Sequence, residues 1–174
     1  TTWLNAFCLS SQHVTDGSRM SFYFDGTAAF AYGSMPASTI VNGEWHHYAF
    51  AYDGGGATDA DKLKGYWDGV AQTITFTGTI PATLPDANAG VVALGVGNPN
   101  GIRFGQFNLG AAKLWSATLT AAELYNEMTA KYPCRTTNLL VWIPGDDGNS
   151  MVDYFGGNVV TITQAVQAAM SPPF

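Results

Sequence analysis

Apolar and polar residues alternate along several short stretches of this chain, and a two-residue period marks strands half-buried on a sheet. In SRMSFYFDG, Met20, Phe22 and Phe24 fall on one face against Ser21, Tyr23 and Asp25. The pattern recurs in HHYAFAYDG (46–54) and in VAQTITFTG (70–78), where Val70, Ile74 and Phe76 oppose Ala71, Thr73 and Thr75. Five Asp-Gly pairs, at 16–17, 25–26, 53–54, 68–69 and 147–148, punctuate these runs. Asp-Gly suits the positive φ of tight hairpin turns, so each marks an expected strand reversal. KGYWDGVAQTITF, centred on Asp68-Gly69, reads as the clearest hairpin.

One helix stands out, in LTAAELYNEMTAKYP. Thr120 can cap it, Glu123 can complete a capping box, and Leu119 and Leu124 occupy the hydrophobic-staple positions. Leu124 and Met128 give an apolar face, Lys131 falls in the expected last turn, and Pro133 stops continuation. Many short strands with one short helix predict an all-β protein, a sandwich or jelly roll. The stretches 53–62 and 77–90 read as loops, because alternation resumes after each. A single domain over residues 1–174 is expected.

Composition narrows the partners. The chain is 47% hydrophobic, 13% aromatic and only 11% charged, so it has ample apolar surface to fold on. Seven basic residues against 13 acidic ones exclude a phosphate-backbone partner and disfavour an anionic membrane surface. The N-terminal stretch does not read as a signal peptide, and Gly, Gln and Pro interrupt the uncharged last 21 residues too often for a membrane span. Cys8 and Cys134 could form one bridge or remain two thiols, and the sequence leaves both open.

The chemistry that catalysis needs is sparse. Adjacent side chains on a strand point to opposite faces, so His46 and His47 read as structural rather than as a metal pair. Glycosidase chemistry wants two carboxylates about 5 to 10 Å apart. Glu123 and Glu127 fall on the helix, and Glu44 has no acid within four positions. No G-x-S-x-G elbow occurs, and GVGNPNG (95–101) lacks nucleotide-loop spacing. The chain therefore reads as non-enzymatic. A calcium ion remains an open expectation at Asp59 and Asp61, or at Asp146, Asp147 and Asp153, against the alternative that these are turn-forming aspartates.

Taken in order, Trp45-His46-His47-Tyr48-Ala49, Tyr52-Asp53-Gly54 and Gly65-Tyr66-Trp67-Asp68-Gly69-Val70 resemble the laminin G-like domains of the concanavalin A-like lectin/glucanase group. VVALGVGN and FGQFNLGAAKLWSATLTAAEL are similar to that family's closing strands. The resemblance covers residues 43 to 128. It implies a jelly-roll sandwich of two antiparallel sheets, commonly a calcium site at the rim, and binding rather than catalysis. Two features depart from the family pattern. NLGAAKLW lacks the acidic residues usual before the last outgoing strand. NLLVWIPGDDGNSMVDYFGGNVVTIT (138–163) looks like the opening segment of such a domain, yet follows the helix. A circularly shifted order is expected, with residues 138–174 completing the sandwich beside the N-terminal strand.

Two functional readings follow. The first is a non-catalytic recognition module for a glycan or a surface protein, with Tyr66 and Trp67 beside Asp68, and Tyr23 beside Asp25, as the candidate aromatics with polar neighbours. The second is a rigid brick, a homo-oligomer or a virion-shell decoration protein. Both place the chain outside cells, on a cell surface or on a virion.

Overall fold

The computed structural model describes residues 7–14, 17–25, 30–36, 43–84, 110–144 and 152–157. They hold nine strands and two short helices: β1 Phe7–Val14, β2 Gly17–Asp25, β3 Phe30–Ser34, β4 Tyr48–Tyr52, α1 Asp59–Lys62, β5 Leu63–Trp67, β6 Val70–Gln72, β7 Thr75–Thr77, β8 Ala111–Trp115, α2 Ala121–Thr129 and β9 Leu139–Pro144. All strand pairs are antiparallel. The chain divides into two compact units, Thr1–Gln106 and Phe107–Phe174.

In the first unit, β1-β2-β3-β7 form one sheet and β4-β5-β6 a second. Alternation on β2 sends Phe22 and Phe24 to a single face, and they meet β4 across the gap. The Phe22 and Phe50 rings are 5.6 Å apart, and Phe24 and Tyr52 are 5.1 Å apart. Phe24, Ala31, Leu63 and Ile80 are buried to 1% or less, forming the core between the sheets. Each of the larger three contributes roughly 1.5–3 kcal/mol by leaving water.

The stretch VAQTITFTG differs from expectation. It is not one strand: β6 pairs with β5, whereas β7 pairs with β3 in the other sheet. The chain changes sheets at Thr73-Ile74, which frees Val70 from the core, and its side chain is 63% exposed. Ile74 fills the crossing. A Cβ on Gly33 would lie 2.8 Å from Ile74 Cγ2, and one on Gly65 would lie 2.7 Å from Ile74 Cδ1. Glycine at these two positions lets both sheets close on that side chain.

Residues 53–62 also hold more order than a loop. Thr58 caps the single turn α1 through a complete capping box with Asp61. Two α1 side chains then serve the buried Ile80: Asp59 Oδ1 accepts its N–H at 3.0 Å, and Lys62 Nζ donates to its carbonyl at 2.9 Å. Side chains here do for one backbone residue what a neighbouring strand would do. Gly54 keeps a negative or extended φ, so the Asp53-Gly54 pair is not the expected positive-φ reversal. A Cβ on Gly54 would overlap the Ala82 carbonyl, so close approach explains that glycine. By contrast, Asp68 (φ 48) and Gly69 (φ 76) make the mirror-image turn that the hairpin demands.

In the second unit, β8 pairs with β9, with a register shift between Leu114 and Trp115. Among the described residues β9 pairs with β8, and residues 145–151 and 158–174 of the segment expected beside the N-terminal strand lie outside the described ones. Helix α2 starts as expected, with the reciprocal Thr120–Glu123 capping box and the buried pair Leu119 and Leu124. Its end differs. The helix stops at Thr129, and Lys131 turns its ammonium toward the Tyr132 ring, 5.9 Å from the centroid. The helix C-terminus is served by Lys113 of β8, whose Nζ donates to the carbonyls of Glu127 (3.1 Å) and Ala130 (2.9 Å). Lys113 Nζ also meets Glu127 Oε2 at 2.7 Å, while Glu127 Oε1 accepts from Arg135 N–H at 2.8 Å. Glu127 is thus 5% exposed with both carboxylate oxygens bonded.

Candidate functional site

The β5–β6 turn brings together residues 22 positions apart. Asp68 sits at the turn with its carboxylate against the segment leading into β4. Asp68 Oδ1 accepts from His47 N–H at 2.8 Å, Asp68 N–H donates to the His47 carbonyl at 2.9 Å, and Asp68 Oδ2 lies 2.8 Å from His46 Nδ1. Because β4 begins at Tyr48, strand alternation does not reach His46 and His47, contrary to expectation. They form a clasp between two loops. The Trp67 ring stands edge-on to His46, 5.4 Å between centroids, with its Nε1 3.1 Å from the same Nδ1.

One imidazole nitrogen cannot donate to Asp68 and accept from Trp67 together. A carboxylate–imidazole bond is roughly twice as strong as a neutral one, so the Nδ1 hydrogen belongs to Asp68. In the neutral ring this leaves the lone pair on Nε2. That nitrogen is excluded from solvent, makes no hydrogen bond, and faces Glu44 Oε2 at 3.5 Å. Nearby, burial and then the Asp68 charge push the Tyr48 hydroxyl up to about 12.

The expected ligand residues fall in two places. Trp67 and Asp68 join this clasp. Tyr66 is 7% exposed and borders a recess of about 210 Å³ with Lys64, Ala71 and Gln72. Its ring is therefore not an exposed platform, because Ala49 and Ala71 flank it and burial removes it from water. Tyr23 lies on the other sheet, 4.9 Å from the cross-strand ring of Tyr32 at an interplanar angle of 30°. The same sheet face carries Ser21 and Ser34, buried to 2% or less and hydrogen-bonded at 2.8 Å.

The expected metal ligands are also dispersed. Asp59 is taken by Ile80 N–H, and Asp61 by the Thr58 amide and hydroxyl, which hold the Asp61 carboxyl below its ordinary range. Asp146 and Asp147 lie outside the described residues. Asp153 is 5% exposed, and its Oδ1 accepts from the amides of Trp142, Phe155 and Gly156 at 3.0–3.1 Å. Among the described residues, no group of three or more His, Cys, Asp or Glu could hold a metal ion. Cys134 is an exposed free thiol, and the side chain of Cys8 lies outside the described ones.

The Asp153 anchor has a second consequence. It fastens residues 153–156 to β9 and sets Tyr154 beside Trp142, 5.5 Å between ring centroids, and Tyr132 also neighbours Trp142 at 5.4 Å. Tyr132 is 64% exposed, Tyr154 55% and Phe155 48%. Sequence reasoning missed this aromatic row, because its members are ten and twelve residues apart and meet only through strand pairing and the Asp153 turn.

Residues 9–125 match the family model described as the Concanavalin A-like lectin/glucanases superfamily, Laminin_G_3. The chain belongs to that superfamily. No curated protein and no solved structure gives a significant match. Laminin G-like members of the superfamily are generally non-catalytic binding modules for glycans or proteins, and are typically extracellular. The family match places this chain in an all-β jelly-roll class, in agreement with its antiparallel sheets. It runs through both clasp segments, 44–48 and 67–68, and stops before Tyr132, Trp142 and Tyr154. No helix among the described residues is long and apolar enough to cross a membrane.

Proposed function

We propose that residues 1–174 work as one non-catalytic recognition module that binds a glycan or a surface protein outside the cell, and that the Tyr132–Trp142–Tyr154 row is its contact surface. The observation that carries this reading is the row itself. Tyrosine and tryptophan combine a large apolar face with a polar edge, which suits both the C–H face of a sugar ring and the centre of a protein interface. Family membership supports a binding role in general. A glycan array probed with the purified chain, with and without calcium, tests the reading. Binding that drops at least tenfold in Tyr132→Ala/Tyr154→Ala is the expected outcome, and these exposed side chains can be cut back without disturbing the core. Retention of full affinity in that variant would overturn the assignment of the surface.

A second reading, a brick in a virion or surface assembly, has its own support. Of the eight large apolar side chains exposed among the described residues, five (Tyr132, Leu140, Val152, Tyr154 and Phe155) lie beyond the family match. Exposed apolar residues gathered in one segment suit subunit packing. Size-exclusion chromatography with light scattering separates the two: a strict oligomer favours the brick, and a monomer with glycan affinity favours the module.

A further inference from the structure

We propose that His46 and Glu44 form a site for a single Zn²⁺ ion at the base of the β5–β6 hairpin, with Asp68 as the residue that orients the imidazole. Three observations carry it. First, the Asp68 carboxylate claims the Nδ1 hydrogen at 2.8 Å, which fixes the tautomer and points the Nε2 lone pair away from the clasp. Zinc-bound histidines generally give their second nitrogen to such a carboxylate, which raises the basicity of the ligating one.

Second, Nε2 is solvent-excluded and without a hydrogen bond, while its charged neighbour, Glu44 Oε2, stands 3.5 Å away. In the neutral ring a lone pair and a carboxylate oxygen face each other here. In a partly buried setting this contact is repulsive, and a cation shared by the two atoms turns it into an attraction. Third, the spacing fits. With Zn–N and Zn–O bonds of about 2.0–2.2 Å and tetrahedral angles, two ligand atoms on one Zn²⁺ are separated by about 3.4 Å.

Imidazole with one carboxylate selects a borderline metal such as zinc over calcium, which wants six or more oxygens. Two protein ligands leave two positions open for water or for a donor on a binding partner. The Glu44 side chain is 66% exposed, so the ion can enter from the solvent side. Affinity in the absence of a partner is accordingly modest, in the micromolar range or weaker.

The test uses the untagged 174-residue chain. Zn²⁺ is titrated in calorimetry, with tryptophan fluorescence as a local reporter because Trp67 stands against His46. The expected result is one ion per chain, weakened at least tenfold in Glu44→Gln and lost in His46→Gln, with unchanged circular dichroism. Co²⁺ in place of Zn²⁺ should give the intense visible bands of a tetrahedral site. If His46→Gln fails to fold, Glu44→Gln still decides, since that side chain is exposed. No binding at millimolar Zn²⁺, or binding unchanged in Glu44→Gln, overturns the proposal; a proton alone then occupies the gap.

Discussion

Replacing Lys113 with methionine removes the ammonium that holds three acceptors at the end of α2: Glu127 Oε2 at 2.7 Å, and the carbonyls of Ala130 at 2.9 Å and Glu127 at 3.1 Å. Side-chain exposure is 9% for Lys113 and 2% for Glu127, so water cannot take the ammonium's place. Breaking a buried pair by removing one partner costs about 3–5 kcal/mol, because a buried charge is left uncompensated. With a urea slope of about 2 kcal/mol/M, the midpoint should fall by roughly 1.5–2.5 M. Trp115 reports the transition, since its indole N–H donates to the Arg135 carbonyl at 2.8 Å beside this cluster. The double variant Lys113→Met/Glu127→Leu removes both charges. Three donor or acceptor groups still lose partners, at about 1 kcal/mol each, so it should cost about 3 kcal/mol and recover up to about 2 kcal/mol relative to Lys113→Met alone. A midpoint shift below about 0.5 M for Lys113→Met would refute the reasoning, because it lies under the smallest buried-pair penalty. So would a double variant less stable than the single one.

Tyr48 should resist ionisation until about pH 12, seen as one late phenolate step in the ultraviolet titration that disappears in Tyr48→Phe. The raised value means the stabilisation is complete below the free tyrosine value near 10 and is lost as pH climbs through 12, so Tyr48→Phe should also blunt alkaline unfolding. Thr120→Ala should cost about 1 kcal/mol in thermal or urea melts by removing the α2 cap. The Thr120 amide and hydroxyl hold the Glu123 carboxyl below its ordinary range, so the stability tied to it is present above the unfolded carboxylate value and lost as pH falls through the lower folded one. The gap between acid melts of wild type and Thr120→Ala should therefore narrow at low pH, where the hydroxyl–carboxylate bond is lost, without closing, because the cap bond to the Glu123 amide persists in wild type. Gly54→Ala should destabilise by about 1–3 kcal/mol, since the added carbon meets backbone that cannot swing aside. Gly43→Ala is a contrasting control, because nothing lies within 4 Å of its Cβ position and its penalty comes only from a φ of +86°.

Much of the framework is legible in local pattern. Phe22 and Phe24 on one face of β2, the Asp68-Gly69 turn, and the Thr120–Glu123 box each depend on residues a few positions apart. The structure returns all three as expected. Where local pattern misleads, a distant contact outweighs it. VAQTITFTG has the alternation of one strand, but two glycines on other strands open a slot for Ile74, and the chain crosses sheets there. Glu127 is placed on the helix by the sequence, and only its pairing with Lys113, fourteen residues earlier, accounts for its burial.

The site divides in the same way. His46, Trp67 and Asp68 are each visible in the sequence as members of an ordered motif series, but the strand alternation expected for His46 and His47 begins only at Tyr48. Only the tertiary structure closes the 22-residue gap between His46 and Asp68, assigns the Nδ1 hydrogen and leaves Nε2 opposite Glu44. The sequence by itself determined the strand periodicity, the hairpin turn, the helix start and, through its resemblance, the superfamily, because those rest on short-range sterics and hydrogen bonds. Which side chains meet across the hairpin, and which aromatic rings gather around Trp142, was decided by pairing over long separations, where chain entropy is overcome only once the whole sheet has formed.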